Sequence, residues 1–139
     1  MKPVSQLSIY VHIPFCASKC RYCDFYSTKY DSSAADLYID ALAVEWDLVC
    51  KEKRLAEPQI ATIYFGGGTP SLLSLKQWQK IGEKLLSKFN RDSLLEFSVE
   101  CNPDSLSAEL AALLLQLGVN RITLGIQSLC NRELKAAGR

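Results

Sequence analysis

Three thiols crowd the stretch YVHIPFCASKCRYCDFYS, where Cys16, Cys20 and Cys23 fall within eight residues. A closed zinc site takes four ligands and disulfides take pairs. Three thiolates spaced C-x3-C-x2-C on one loop can hold three irons of a [4Fe-4S] cube, leaving the fourth iron without a protein ligand. Two other readings fit the same spacing: a zinc ion completed by a distant fourth ligand, for which His12 is the only histidine available, and three incidental cysteines. His12 by itself reads as a hydrogen-bonded structural histidine rather than a ligand. Cys50, Cys101 and Cys130 stand alone and read as small hydrophobes outside the cluster.

A second chemical feature is FGGGTPS, in which Gly66, Gly67 and Gly68 follow a short apolar run. Backbone N–H groups without side chains in front of them can approach a carboxylate, an ammonium-bearing chain or a phosphate. A glycine-rich turn into a helix is also often only a turn. It lacks the lysine of a P-loop and the G-x-G-x-x-G spacing of a dinucleotide fold.

These residues need a frame. LSIYVHI (7–13) alternates Leu7, Ile9, Val11 and Ile13 with Ser8, Tyr10 and His12, the pattern of a strand. Residues 33–54 carry Tyr38, Leu42, Trp46 and Val49 at helical spacing, and Pro58 separates them from the strand-like run IATIYF (60–65). Ser74 opens a helix through a capping box with Gln77, with the stripe Leu75, Trp78, Ile81, Leu85 and Phe89. LLEFSVE (94–100) reads as a third strand and 107–117, stopped by Gly118, as a third helix. RITLGIQ (121–127) reads as a fourth strand and 131–137 as a fourth helix.

Strand then helix, four times, predicts an α/β fold with a parallel sheet. In such folds ligands gather at the C-terminal ends of the strands, where Tyr10, His12, Glu100 and Gln127 are expected. Four βα units are too few to close a barrel, so the chain reads as a fragment. Lysine plus arginine (16) nearly balance aspartate plus glutamate (15), which gives no reason to expect a nucleic-acid partner. The N-terminus MKPVSQLSIY lacks the apolar core of a signal peptide and no run is long enough for a membrane span. The expected compartment is the cytoplasm, where thiols stay reduced and clustered cysteines mark metal or catalytic sites.

The C-x3-C-x2-C loop after the first strand resembles the signature of the radical S-adenosylmethionine (SAM) superfamily. More narrowly, YVHIPFCASKCRYCDF, FGGGTPS, VECNPDSL and NRITLGIQS are similar, in that order, to the oxygen-independent coproporphyrinogen III dehydrogenase (HemN-like) family. The resemblance implies an α/β fold in which residues 1–139 are the N-terminal part, about four βα units, of a partial (β/α)6 TIM-like barrel, truncated on its C-terminal side. It implies that Cys16, Cys20 and Cys23 bind a [4Fe-4S] cluster. Tyr10, Tyr22, Gly67, Gly68, Thr69, Glu100, Gln127 and Arg139 fall at SAM-contacting positions. The amino and carboxylate groups of SAM would occupy the open iron, and an electron from the cluster would cleave the sulfonium bond to give a 5′-deoxyadenosyl radical.

Within the family, Phe25 discriminates. The dehydrogenases resemble C-x3-C-x2-C-x-C, with a fourth cysteine where this chain has Phe25. That departure, with CDFYS and GGGTPSLL, is similar to the HemW branch, regarded as heme chaperones. The implied ligands and partners are SAM, heme and an apo-hemoprotein acceptor. The alternative is the dehydrogenase, which decarboxylates two propionates of a porphyrinogen to vinyl groups.

Overall fold

The computed structural model describes residues 6–55 and 58–139; the first five residues of the N-terminal stretch weighed above as a leader lie outside them. The strands of the main sheet are β1 (Gln6–Ile13), β4 (Gln59–Gly67), β5 (Glu96–Cys101) and β6 (Arg121–Leu124), paired in that order and all parallel. Helices α1 (Ser32–Lys53), α2 (Leu75–Lys84) and α3 (Ala108–Gln116) connect them, and α4 (Asn131–Ala137) follows β6. The α/β architecture with a parallel sheet is therefore as expected.

Alternation drives the layering. Val11, Ile13, Ile63, Phe65, Phe97 and Val99 point into one core, where Ile39 of α1, Trp78 and Ile81 of α2, and Leu110 and Leu114 of α3 meet them. Burial of these side chains is the main stabilising contribution. Phe65 sits at its centre, its ring 5.2 Å from that of Trp78 and 5.7 Å from that of Phe97. The opposite sheet face carries Tyr10, His12, Tyr64 and Glu100.

Three local expectations shift. In α1 the fully buried stripe is Ala35, Ile39 and Ala43; Tyr38, Leu42 and Trp46 flank it and Val49 is exposed, because small residues let the helix approach the sheet closely. In β4 the register slips against Leu7/Ser8, so Ile60 and Ile63 both reach the core although three residues apart, as a bulge permits. Leu75 at the start of α2 is exposed, while the capping box of Ser74 and Gln77 forms as read. Gln77 is itself buried and accepts from the Tyr30 hydroxyl at 3.0 Å, tying α2 to the segment before α1.

A small ladder was not foreseen. β2 (Phe15–Cys16) and β3 (Thr28–Lys29) pair in parallel and close the cysteine loop at its base. The Thr28 amide donates to the Pro14 carbonyl at 2.7 Å and the Tyr30 amide to the Cys16 carbonyl at 2.9 Å. Phe15 anchors this base edge-on to Tyr30 and Tyr38, at 6.1 and 5.7 Å. Two-residue strands carry no readable alternation, which is why the sequence hides them.

Phe65→Ala should cost about 3–5 kcal/mol, since it removes a fully buried ring at the junction of sheet and α2. Urea unfolding followed by circular dichroism would show it as a lowered midpoint with an unchanged slope.

Candidate functional site

The C-terminal ends of the parallel strands open onto a cavity of about 640 Å³. Its wall includes Cys16, Cys20, Tyr22 and Cys23 from the loop, Gly67, Gly68 and Thr69 from the turn after β4, Glu100 at the end of β5, and Gln127 and Arg139 beyond β6. Ten of the eleven residues that the family resemblance assigns to cluster or SAM thus line one space. Tyr10 is the exception: it stands on the same sheet face, its ring 6.0 Å from that of Tyr64, and donates to His12 rather than into the cavity.

The glycine turn works differently from the expectation. Its amides are not free: Gly67 N–H donates to Glu100 Oε2 at 3.1 Å, Gly68 N–H to the Ile13 carbonyl at 2.7 Å and Thr69 N–H to the Phe15 carbonyl at 2.8 Å. The glycines are required because the turn runs hard against β1 and β2. A Cβ on Gly68 would lie 2.6 Å from the Phe15 carbonyl oxygen, and one on Gly67, whose φ is +107°, would collide with the His12 ring. These three amides are thus spent within the protein and are not offered to a ligand.

Glu100 joins two elements, since its carboxylate also accepts from the Tyr64 hydroxyl at 2.6 Å. That bond, with burial second, pushes the Tyr64 hydroxyl up to about 12. Gln127 departs from its expected place in a strand. β6 ends at Leu124, and Gln127 sits in a tight turn with φ +66°, a conformation that non-glycine residues rarely adopt. Gln127 nonetheless lines the cavity. The Arg139 guanidinium donates to the Gly125 carbonyl of the same turn.

The thiols are half-buried in the loop. Cys23 N–H donates to the Cys20 carbonyl at 3.2 Å, curling the loop, and Thr69 Oγ1 lies 3.7 Å from Cys16 Sγ. Among the described residues no three His, Cys, Asp or Glu side chains converge as ligands of one metal ion would. A cube takes one thiolate per iron and so asks for sulfurs around a volume rather than at a point. His12 offers no fourth ligand: both ring nitrogens are engaged, one with the Tyr10 hydroxyl at 2.9 Å and the other with the Tyr26 carbonyl at 3.0 Å. Cys101 also borders the cavity, but burial raises its thiol to about 11, keeping it protonated. Cys130, read as a buried hydrophobe, is instead exposed. The donor set around the cavity fits a cluster held by three thiolates.

The sequence profile of the radical SAM superfamily matches residues 10–139. The chain belongs to the radical SAM superfamily. Among curated radical SAM relatives, the heme chaperone HemW of Bacillus subtilis is 40% identical over 133 residues, 95% of this chain and 35% of that protein. HemW of Escherichia coli K12 is 34% identical over 142 residues, 100% of this chain and 36% of that protein. Anaerobilin synthase of Escherichia coli O157:H7 is 34% identical over 131 residues, 94% of this chain and 29% of that protein. The solved structure of coproporphyrinogen III oxidase (HemN) from Escherichia coli, described as a radical SAM enzyme, superposes with a TM-score of 0.84 at 29% identity, over 95% of this chain and 30% of that one. The chain spans about a third of the length of the relatives it matches.

Around this cavity the sequence reading missed Tyr64, Asn102, Asp104, Ser105 and Ser71. Asn102, Asp104 and Ser105 lie in the wall, and buried Ser71 holds their loop by accepting from Asn102 N–H at 2.9 Å and bonding to the Ser105 hydroxyl at 2.6 Å. The signal was present in VECNPDSL, but only Glu100 was drawn from it. Lys19 was missed too; its ammonium donates to the Phe25 carbonyl at 2.6 Å and clamps the loop beyond Cys23.

The raised Tyr64 value carries a pH signature. Its folded pKa lies above the ordinary 10.0, so the Tyr64–Glu100 contribution to stability is fully present below pH 10 and is lost as pH rises through about 12. Tyr64→Phe should remove that step, so that the urea midpoint of the variant falls less steeply across this window than that of the wild type.

Proposed function

We propose that this chain is the cluster- and SAM-binding part of a cytoplasmic, HemW-like protein that handles heme. The observation that carries the reading is that Cys16, Cys20 and Cys23 share one cavity with Gly67, Gly68, Thr69, Glu100, Gln127 and Arg139. Cys16, Cys20 and Cys23 would hold the [4Fe-4S] cluster. The Gly68 carbonyl and the Glu100 carboxylate suit an ammonium group, and the Arg139 guanidinium, with N–H groups to spare beyond Gly125, suits a carboxylate. An amino-acid end bearing both charges, as in SAM, matches that pairing. When bound, cluster and SAM together supply a 5′-deoxyadenosyl radical. Gln127 and Tyr22 complete the wall, and Tyr10 supports it through His12.

The HemW-like branch is supported by Phe25, which stands where the dehydrogenases carry a fourth cysteine and lines the cavity instead. The similarity to the HemW chaperones points the same way. Heme would then be cargo, passed to an apo-hemoprotein. The structural likeness to HemN favours a second reading, a coproporphyrinogen dehydrogenase. Among the described residues no helix is long and apolar enough to cross a membrane.

Anaerobic reconstitution of the full-length protein with iron and sulfide should give thiolate-to-iron absorbance in the visible, lost in Cys20→Ala. Loaded protein should bind hemin and release it to an apo-hemoprotein. Protoporphyrinogen formed from coproporphyrinogen III with SAM and a reductant would instead establish the dehydrogenase. A wild type that takes up zinc and no iron would overturn both.

A further inference from the structure

His12 lies on none of the cavity's walls, yet it touches two of the parts that build them, the cysteine loop at Tyr26 and the glycine turn at Gly67. One ring nitrogen meets the carbonyl of Tyr26, on the limb of the cysteine loop that descends from Cys23 to β3. A carbonyl can only accept, so Nε2 carries the proton and Nδ1 of the neutral ring accepts from the Tyr10 hydroxyl. The ring also fills the space directly over Gly67, whose amide donates to Glu100. The backbone carbonyl of His12 accepts from the Tyr38 hydroxyl at 2.6 Å, which fixes the strand end to α1.

We infer that His12 is a positioning residue that locks the descending limb of the cysteine loop to the Gly67 turn and so sets the three thiols relative to the SAM-binding wall. The inference rests on the functional reading of the cavity given above. Among the described residues the loop has few other ties to the sheet's polar face: the β2–β3 ladder holds its base, and Lys19 clamps the loop to itself. One further tie, from Arg21 N–H to the Ala137 carbonyl, leads to α4 instead. Thr69 of the glycine turn meets the ascending limb, through the Phe15 carbonyl and Cys16 Sγ; among the described residues only the His12 imidazole spans from the descending limb to that turn. Its two nitrogens lie on opposite ring sides, which allows it to reach Tyr26 and Tyr10 together.

Substitutions separate this role from simple space filling. Glutamine can place an amide donor near the Nε2 position and retain the Tyr26 bond. Asparagine reaches only the Nδ1 position and retains the Tyr10 bond alone. In full-length, anaerobically reconstituted protein, His12→Ala should still take up iron and sulfide. It should bind SAM about tenfold more weakly, on the order of one constrained hydrogen bond, and show a smaller SAM-induced change in the electron paramagnetic resonance of the reduced cluster. His12→Gln should restore both and His12→Asn neither. In the metal-free protein, amide exchange over residues 20–27 and at Gly67 should quicken in the Ala and Asn variants but not in Gln.

Wild-type SAM affinity and an unchanged resonance shift in His12→Ala would overturn the inference. If His12→Ala does not fold, as judged by its thermal melt, the Gln and Asn variants decide, and equal SAM affinity in those two would overturn it as well. A wild type that binds no SAM removes the reading of the cavity and this inference with it. A wild type that binds SAM beside an indifferent His12→Ala removes the inference alone.

Discussion

The close approach of the Gly67–Thr69 turn to the end of β1 and to β2 is the contact on which the site depends. Two amide-to-carbonyl bonds, Gly68 to Ile13 and Thr69 to Phe15, bring the backbones together, and a Cβ at Gly68 would collide with the Phe15 and Ile13 carbonyls. Because Phe15 immediately precedes Cys16, that contact also fixes where the cysteine loop begins. Thr69 then lies beside the Cys16 sulfur. Moving the turn outward by the width of a methyl group would separate the thiols from the opposite wall.

The polar side of the sheet is organised around that contact by charge and hydrogen bonding. Glu100 accepts from Tyr64 and from the Gly67 amide, so the carboxylate is oriented before any ligand arrives. Pre-orientation of this kind lowers the ordering cost of binding. Beneath it the Tyr10–His12–Tyr26 chain ties strand to loop. The core lies on the other face, where Phe65, Trp78 and Phe97 hold the strands rigid. Apolar packing on one side thus supports a polar constellation on the other.

Topology explains why residues more than a hundred positions apart meet. All four strands of the main sheet run the same way, so their C-terminal ends share one edge. Everything placed just past a strand end, whether Cys16, Thr69, Asn102 or Gln127, is delivered to that edge. The relatives are about three times longer than this chain, and β6 has a sheet neighbour on one side only among the described residues. The superfamily's profile matches residues 10–139, which include the C-terminal ends of all four strands.

Much of this was legible in the residues. Period-two alternation marked β1 and β5, the Ser74–Gln77 box marked α2, and the cysteine spacing marked the loop, because each is a local pattern set by backbone geometry. The buried stripe of α1 was displaced by one residue, since alanine at 35 and 43 signals close packing only once the facing sheet is known. The β2–β3 ladder and the bulge in β4 left no trace, being decided by pairing across the chain. Sequence by itself determined which side chains could do chemistry and on which elements they ride. Tertiary structure alone decided that the amides of Gly67, Gly68 and Thr69 are spent on Glu100, β1 and β2, that His12 is engaged at both nitrogens, and that Gln127 lies in a left-handed turn. Those outcomes depend on backbone and ring atoms brought within hydrogen-bond reach by parallel pairing, a proximity that no spacing along the chain encodes.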